Sequence, residues 1–161
     1  MPNHTDNRVI LSHEDSSEID KIYNIMNTGA ELCHSLVPEP RKSNGDPEDG
    51  WYDWRVKNWG TKWEIYDTSC ERNGANELYI SFLSAWSPPD GIFKELVNRG
   101  FEIDARYFDE GWMYIGWFLL EDGQLLDYCE SDIDLAIATH PELDEEFGIT
   151  KLNQEYEEEI A

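Results

Sequence analysis

The sequence predicts an α+β fold in which helices cover one face of a mainly antiparallel β-sheet. One observation behind this prediction is a strand-then-helix pattern at residues 8–27, which occurs again at residues 77–100. Another is a series of alternating and continuously apolar runs at residues 101–128, separated by turns of acidic residues and glycine. The third is a polar, turn-rich connection at residues 39–76, which separates the two repeats.

The first repeat begins with a short apolar run at residues 8–12, which is typical of a buried strand. Asp15, followed three residues later by Glu18, then marks the start of a helix, and Gly29 marks its end. Residues 32–37 are interpreted as a second strand, because the prolines that follow can neither donate to a β-ladder nor continue a helix. The first repeat is therefore strand, helix, strand.

The second repeat begins with apolar and polar residues that alternate at residues 77–86, which predicts a strand. Ser87 and Pro88 then fit a helix start, with the serine as the cap, and Gly100 fits the end of that helix. Three further strands are predicted at residues 101–107, 112–120 and 124–128. This order corresponds to a ferredoxin-like βαββαβ sandwich with extra strands.

Length and composition leave room for one domain, since the chain has 161 residues, of which 40% are hydrophobic. We expect a ferredoxin-like domain at residues 1–130 with a tryptophan-rich insertion at residues 39–76, followed by an acidic, helical or partly ordered tail at residues 131–161. Four of the seven tryptophans fall within residues 51–63, here called the tryptophan segment, at spacings that predict an ordered loop. Residues 68–76 are predicted to form a polar loop. Three short helices are predicted in the tail, at residues 132–139, 141–147 and 151–160.

Charge is distributed unevenly along the chain, which carries 35 acidic and 12 basic residues and a net charge of −23. Residues 107–161 contain 16 acidic residues and a single basic one, Lys151, whereas residues 1–106 contain 19 acidic and 11 basic residues. A field of this sign repels nucleic acids and anionic membranes, so the expected partners are basic proteins. The first seven residues lack the basic and apolar regions of a signal peptide, which predicts a cytoplasmic protein.

Motifs of known catalytic sites are missing from the sequence. It contains no glycine-rich nucleotide-binding loop, no nucleophile elbow and no zinc-binding helix motif. The three cysteines, Cys33, Cys70 and Cys129, are widely spaced, which favours free thiols over a metal site. We therefore expect no enzymatic activity, no metal ion and no cofactor.

Four blocks of sequence form a combination that is specific although each block alone is weak. They are residues 1–4 with Asn7, Trp-Arg-x-x-Asn-Trp-Gly-Thr-Lys-Trp at 54–63, Ala-Trp-Ser-Pro-Pro at 85–89, and Tyr-x-x-Glu-Gly with a further glycine at 107–116. In this order the blocks resemble the YubB-like proteins of phages and plasmids, over about residues 1–120. The resemblance implies a ferredoxin-like fold and a mobile-element origin, and it implies no particular reaction. Thr5 and Asp6 depart from the more apolar residues of the family, and the acidic tail lies outside the resemblance.

The acidic surface has two interpretations. Its charge can serve solubility alone, or its carboxylates can imitate the phosphates of a duplex and occupy the basic groove of a nucleic-acid-binding protein. A mobile-element origin favours the second interpretation, because phages and plasmids benefit from inhibiting host defence proteins of the restriction or CRISPR type. The residues predicted to contact such a basic host protein are Asp127, Glu130, Asp132, Asp134, Glu142, Asp144, Glu145 and Glu146.

An alternative hypothesis places a small-ligand or nucleotide site at the tryptophan segment. Its candidate residues are His4, Trp59, Lys62, Trp63 and Trp86. Aromatic side chains beside cations can stack on bases, but they can also pin a long loop to its domain, which is the more usual role of tryptophan in a small domain. A structural homodimer is a further alternative.

Overall fold

The computed structural model describes residues 3–160 as one six-stranded antiparallel sheet with seven helices, which confirms the α+β prediction. The strands are β1 His4–Ser12, β2 Tyr66–Arg72, β3 Glu77–Ala85, β4 Glu102–Asp109, β5 Ile115–Glu121 and β6 Gln124–Glu130. The helices are α1 Ser16–Asn27, α2 Leu32–Leu36, α3 Trp51–Asn58, α4 Asp90–Asn98, α5 Ile133–Thr139, α6 Pro141–Phe147 and α7 Ile149–Ile160.

The sheet has the strand order β2-β3-β1-β4-β5-β6, and every neighbouring pair is antiparallel. Its first four strands, joined in the chain order β1-α1-β2-β3-α4-β4, form the predicted ferredoxin-like sandwich. Strands β5 and β6 extend the sheet beyond β4 as two successive hairpins, as the sequence also predicts.

The prediction of a second strand at residues 32–37 is wrong, because this segment is helix α2. The carboxylate of Glu64 accepts hydrogen bonds of 3.0 Å from the backbone N–H groups of both Cys33 and His34, which are free at the start of a helix. Leu32, Cys33 and Leu36 are buried on the inner side of the turn. A distant carboxylate therefore stabilises a helix that the local sequence does not indicate.

The insertion at residues 39–76 contains more regular structure than the sequence predicts. Within the tryptophan segment, Trp51–Asn58 form helix α3 rather than a loop, and Tyr66–Arg72 form strand β2 in place of most of the polar loop at residues 68–76. Strand β2 lies at the edge of the sheet with largely exposed side chains, so it has no apolar alternation to reveal it. It is nevertheless the second strand of the ferredoxin-like sandwich.

The two faces of the sheet are covered by different helices. On one face, helices α1, α2 and α4 and the side chain of Trp59 enclose the main core, which includes Val9, Phe93 and Phe118. On the other face, helices α5, α6 and α7, here called the C-terminal layer, enclose a second core that includes Trp117. The main contacts of the C-terminal layer with the sheet are made to β4, β5 and β6.

Two of the four sequence blocks, at residues 54–63 and 85–89, meet where α3 ends and α4 begins. A Cβ atom on Gly91 would lie 2.0 Å from the carbonyl oxygen of Asn58, so only glycine permits this contact between the two helices. Thr61 donates its hydroxyl to the carbonyl of Ala85, and Ser87 donates its hydroxyl to the carbonyl of Gly60. Ser87 is therefore not the cap of α4, which begins at Asp90. Packing between α3 and the start of α4 therefore accounts for residues of both blocks.

Candidate functional site

The C-terminal layer is folded onto the sheet by apolar side chains. Leu143 and Ile149 are completely buried, and Ile133, Ala136 and Phe147 complete the inner side of the layer. They pack against residues of β4 and β5 that belong to the same core, including Phe108, Ile115 and Trp117. The spacing of these apolar residues leaves the acidic residues of the three helices on the outer side. The negative charge of this region is thus displayed on an ordered surface.

Polar contacts fix the boundaries of the helices in the C-terminal layer. The carboxylate of Asp132 caps α5 by accepting a hydrogen bond of 3.1 Å from the backbone N–H of Leu135. Asp144 accepts hydrogen bonds from the hydroxyl and the backbone N–H of Thr150, which hold the pKa of Asp144 below its ordinary value. Gly148 ends α6 in the left-handed region, with φ of 63°. These two carboxylates therefore stabilise the layer itself.

Two arginines of the sheet connect it to α6. The guanidinium of Arg8 lies 4.9 Å from the ring centre of Phe147 and donates to the backbone carbonyl of Glu146. Arg106 lies 4.5 Å from the ring centre of Trp117 and 3.8 Å from the carboxylate of Glu146. Glu146 is accordingly half-buried and partly neutralised. Its carboxylate is less available to a partner than the outer ones.

The eight carboxylates predicted to bind a basic partner do not form one continuous surface. Asp127 pairs with Phe118, a residue of the main core, so its side chain lies on the face of the sheet opposite the C-terminal layer. Glu130 accepts a hydrogen bond of 3.0 Å from the backbone N–H of Asp132. With Asp132, Asp144 and Glu146 engaged as described, Asp134, Glu142 and Glu145 remain as exposed carboxylates with no salt bridge among residues 3–160.

Helix α7 contributes further exposed carboxylates that the sequence-based prediction missed. They are Glu155, Glu157, Glu158 and Glu159. The sequence shows these glutamates as an acidic run. They belong to the candidate surface because α7 continues the C-terminal layer, to which it is attached by the buried side chain of Ile149 and by the hydrogen bond between Asp144 and Thr150. The candidate site is therefore the outer surface of α5, α6 and α7, without Asp127.

The tryptophan segment is mainly a packing element. Trp59 has no exposed surface, and its indole N–H donates to the carbonyl of Val37 at 2.8 Å. Arg55 lies 4.7 Å from the ring centre of Trp51 and 5.1 Å from that of Trp59, and its guanidinium binds the buried carboxylate of Glu39. These hydrogen bonds from Arg55 hold the pKa of Glu39 below its ordinary value. The placement of Trp59 in a ligand cleft is wrong, because the ring is enclosed in the core.

Other candidate residues of the cleft lie closer to the surface. His4 hydrogen-bonds to the hydroxyl of Tyr66, whose ring lies 6.5 Å from that of Trp63, and Lys62 lies 4.9 Å from the ring centre of Trp63. Trp86 is 53% exposed, and its backbone N–H donates to the carbonyl of Asn3. Thus His4, Lys62 and Trp63 are connected through Tyr66 at the end of the sheet.

Residues 62–153 match the sequence profile of the ferredoxin-like domain in Api92-like proteins, and this range is more than half of the chain. The chain belongs to this family. A search of curated proteins and a search of solved structures found no match. The family match establishes the ferredoxin-like domain and does not extend to the YubB-like assignment, which stays a prediction.

The range shared with the Api92-like family includes most of the C-terminal layer. It runs from the end of the tryptophan segment through β2 to the first turns of α7, so α5 and α6 lie within it. Strand β1, in the centre of the sheet, precedes the range. The exposed carboxylates of α5 and α6 consequently lie within the matched ferredoxin-like domain, whereas those of α7, from Glu155 onward, lie beyond the matched range.

Within residues 3–160, no helix combines the length and the apolar composition that crossing a membrane requires. The described part of the chain also contains no group of three or more His, Cys, Asp or Glu side chains placed to hold a metal ion.

Proposed function

We propose that this Api92-like ferredoxin-like protein is a non-enzymatic accessory protein of a phage or plasmid. It acts in the cytoplasm of a bacterial host, where it occupies the nucleic-acid site of a basic defence protein of the restriction or CRISPR type. The proposal rests on the folded C-terminal layer, whose outer surface displays Asp134, Glu142 and Glu145 with no salt bridge within residues 3–160. The resemblance of the sequence blocks to YubB-like proteins supports the mobile-element origin.

Charge and order act together in this proposal. Residues 131–161 contain ten acidic residues and one basic residue, so a partner meets a field of one sign. Because α5, α6 and the start of α7 are fixed by their apolar inner side, the carboxylates of α5 and α6 need little ordering when they bind, which lowers the entropic cost of association. A negative surface also accelerates encounter with a basic groove at low salt.

Neutralising the exposed carboxylates of the C-terminal layer tests this function. The variant Asp134→Asn, Glu142→Gln, Glu145→Gln and Glu157→Gln is expected to weaken binding by about tenfold or more, because each contact is an exposed charge pair worth a fraction of a kcal/mol to about 1 kcal/mol. The measurement is capture of host proteins from a bacterial lysate, with identification by mass spectrometry and release by salt or by duplex DNA. The expected partner is a nucleic-acid-binding protein that DNA displaces.

A matched control separates the surface from the total charge. The variant Glu14→Gln, Glu48→Gln, Glu71→Gln and Glu102→Gln removes the same four charges from exposed positions outside the C-terminal layer. It is expected to retain the partner nearly as well as the unmodified protein. An equal loss of partner binding in both variants would show that only the overall charge of the protein matters. A captured partner that DNA does not displace would rule out nucleic-acid mimicry.

The small-ligand alternative has less support, because Trp59 lies in the core and Arg55 is bound to Glu39. The side chains that remain for a ligand are His4, Lys62 and Trp63, with Trp86 at the surface. A thermal-shift screen with nucleotides distinguishes the two functions, since a specific ligand raises the melting temperature by mass action. The proposed function predicts no shift.

A further inference from the structure

An apolar groove lies between the β4–β5 hairpin and helix α7. Phe108 and Trp112 form one wall, and Leu152 and Tyr156 form the other. Its volume of about 680 Å³ falls within the range of roughly 300–1,000 Å³ that is usual for binding pockets. The groove is open to solvent, because Trp112 is 38%, Leu152 43% and Tyr156 63% exposed.

The wall formed by α7 is exposed because the apolar side of this helix extends beyond the sheet. Ile149, Leu152, Tyr156 and Ile160 recur at intervals of three or four residues and form one apolar stripe along the helix. Ile149 is completely buried against the second core, but Ile160, at the other end of the stripe, is 66% exposed. The stripe therefore extends past the sheet that covers its first turn. Contiguous apolar surface of this kind typically marks an interaction site.

The backbone at Trp112 supports a role for its side chain beyond folding. Its φ is 63°, in the left-handed region, which is unfavourable for a bulky side chain by about 1 kcal/mol or more. Glycine would occupy this position in the hairpin without strain. The indole packs edge-on against Phe108, with ring centres 5.3 Å apart, and a substantial part of it faces solvent. Strained backbone positions cluster at functional sites, which fits a contact role for Trp112 at the groove.

The charge around the groove defines the partner. Glu110 on the hairpin and Glu155 and Glu159 on α7 line the groove together with Asn153, and no lysine or arginine of residues 3–160 lines it. None of the three carboxylates takes part in a salt bridge within residues 3–160. Apolar walls with negative charges on both the hairpin and the helix are complementary to a segment that presents apolar residues flanked by lysine and arginine.

We propose that this groove binds a basic amphipathic segment of the partner protein. The inference rests on the proposed function in that it assigns the partner a second, apolar contact beside the outer carboxylates. Apolar residues of the segment pack between Trp112 and Tyr156, and its basic residues pair with Glu110, Glu155 and Glu159. The carboxylates of α5 and α6 speed encounter, while the groove provides the apolar burial that slows dissociation.

The first test measures the affinity of a synthetic peptide by fluorescence anisotropy. The probe is a labelled peptide of leucine and lysine patterned as an amphipathic helix, and the reference is a scrambled peptide of the same composition without an apolar face. The amphipathic peptide is expected to bind about tenfold more tightly than the scrambled one. Equal affinity for both peptides would overturn the inference, because charge alone would then account for binding.

Variants locate the contact in the groove. Trp112→Gly removes the indole and relieves the left-handed backbone, so it is expected to fold normally while losing the preference for the amphipathic peptide. Tyr156→Ala is expected to weaken the binding of the amphipathic peptide by about tenfold. The matched control is Tyr52→Ala, because Tyr52 is 49% exposed and lies on α3, away from the groove. Circular dichroism confirms the fold of each variant.

The outcomes also separate this inference from the proposed function. Neutralising Asp134, Glu142 and Glu145 could weaken the binding of both peptides while Trp112→Gly and Tyr156→Ala weaken the binding of neither. In that case the inference about the groove fails, and binding through charge remains supported. If the groove variants abolish the preference for the amphipathic peptide but no captured host protein is displaced by DNA, the groove stands and nucleic-acid mimicry fails.

Discussion

Trp59→Ala is expected to lower the free energy of unfolding by about 3–5 kcal/mol, the usual cost of deleting a completely buried aromatic side chain. The indole of Trp59 has no exposed surface, lies 5.8 Å from the ring centre of Trp54, and donates its N–H to the carbonyl of Val37. Its removal leaves a cavity and also leaves that carbonyl without its partner. Urea denaturation followed by circular dichroism measures the change.

Trp86→Ala provides the matched comparison, since both tryptophans belong to the sequence blocks that resemble YubB-like proteins. Trp86 is 53% exposed, and its hydrogen bonds to Asn3 and Tyr114 are made by backbone atoms, which alanine retains. The free energy of unfolding of the Trp86→Ala variant is expected to differ from that of the unmodified protein by less than about 1 kcal/mol. A loss at Trp59 as small as that at Trp86 would contradict the assignment of the tryptophan segment to the core.

Most strands were predictable from the sequence because burial on one face gives alternating apolar and polar residues, and burial on both faces gives a continuous apolar run. Strand β3 alternates between core and surface along its length, and β5 is apolar on both faces because helices cover both sides of it. Strand β2 has no such pattern, since an edge strand with largely exposed residues leaves no alternation. Helix α3 has no fully buried residue and therefore no apolar stripe.

The charge of the candidate site was predictable, whereas its shape was not. The acidic excess of residues 107–161 is a property of composition, but which carboxylates share a surface depends on the side of the sheet to which each strand residue points. Asp127 lies on the opposite face because its register places it beside Phe118. Trp112 was predicted within a buried strand, and only the turn after β4 shows that it lines a groove.

Asp90 lies in an environment that disfavours its negative charge. It begins α4, its Oδ1 atom is buried without a hydrogen-bond donor, and Asp127 on β6 adds a second negative charge nearby. Burial, followed by the charge of Asp127, raises the pKa of Asp90 to about 6. The start of the helix and Lys94 favour the ionised form, but burial outweighs them. The folded state therefore binds a proton that the unfolded chain releases.

The sign of the resulting pH dependence follows directly. Because the pKa of Asp90 is higher in the folded state than in the unfolded chain, its contribution is most favourable below about pH 4 and is lost as the pH rises through about 6. Above pH 7 the ionised carboxylate costs about 3 kcal/mol, which follows from the pKa difference at 1.36 kcal/mol for each pH unit. Asparagine has a similar shape and no charge to bury.

Asp90→Asn is accordingly expected to raise the free energy of unfolding by up to about 3 kcal/mol at pH 8, and by about half of that at pH 5. Urea denaturation at both pH values measures the gain, and pH 5 stays above the isoelectric point near 4.2. Asp127→Asn is expected to give a smaller gain, since it removes only the second cause of the raised pKa. The exposed Asp49→Asn should leave the pH profile unchanged. A loss of stability at pH 8 in the Asp90 variant would mean that its carboxylate is stabilised by the start of α4 rather than destabilised by burial.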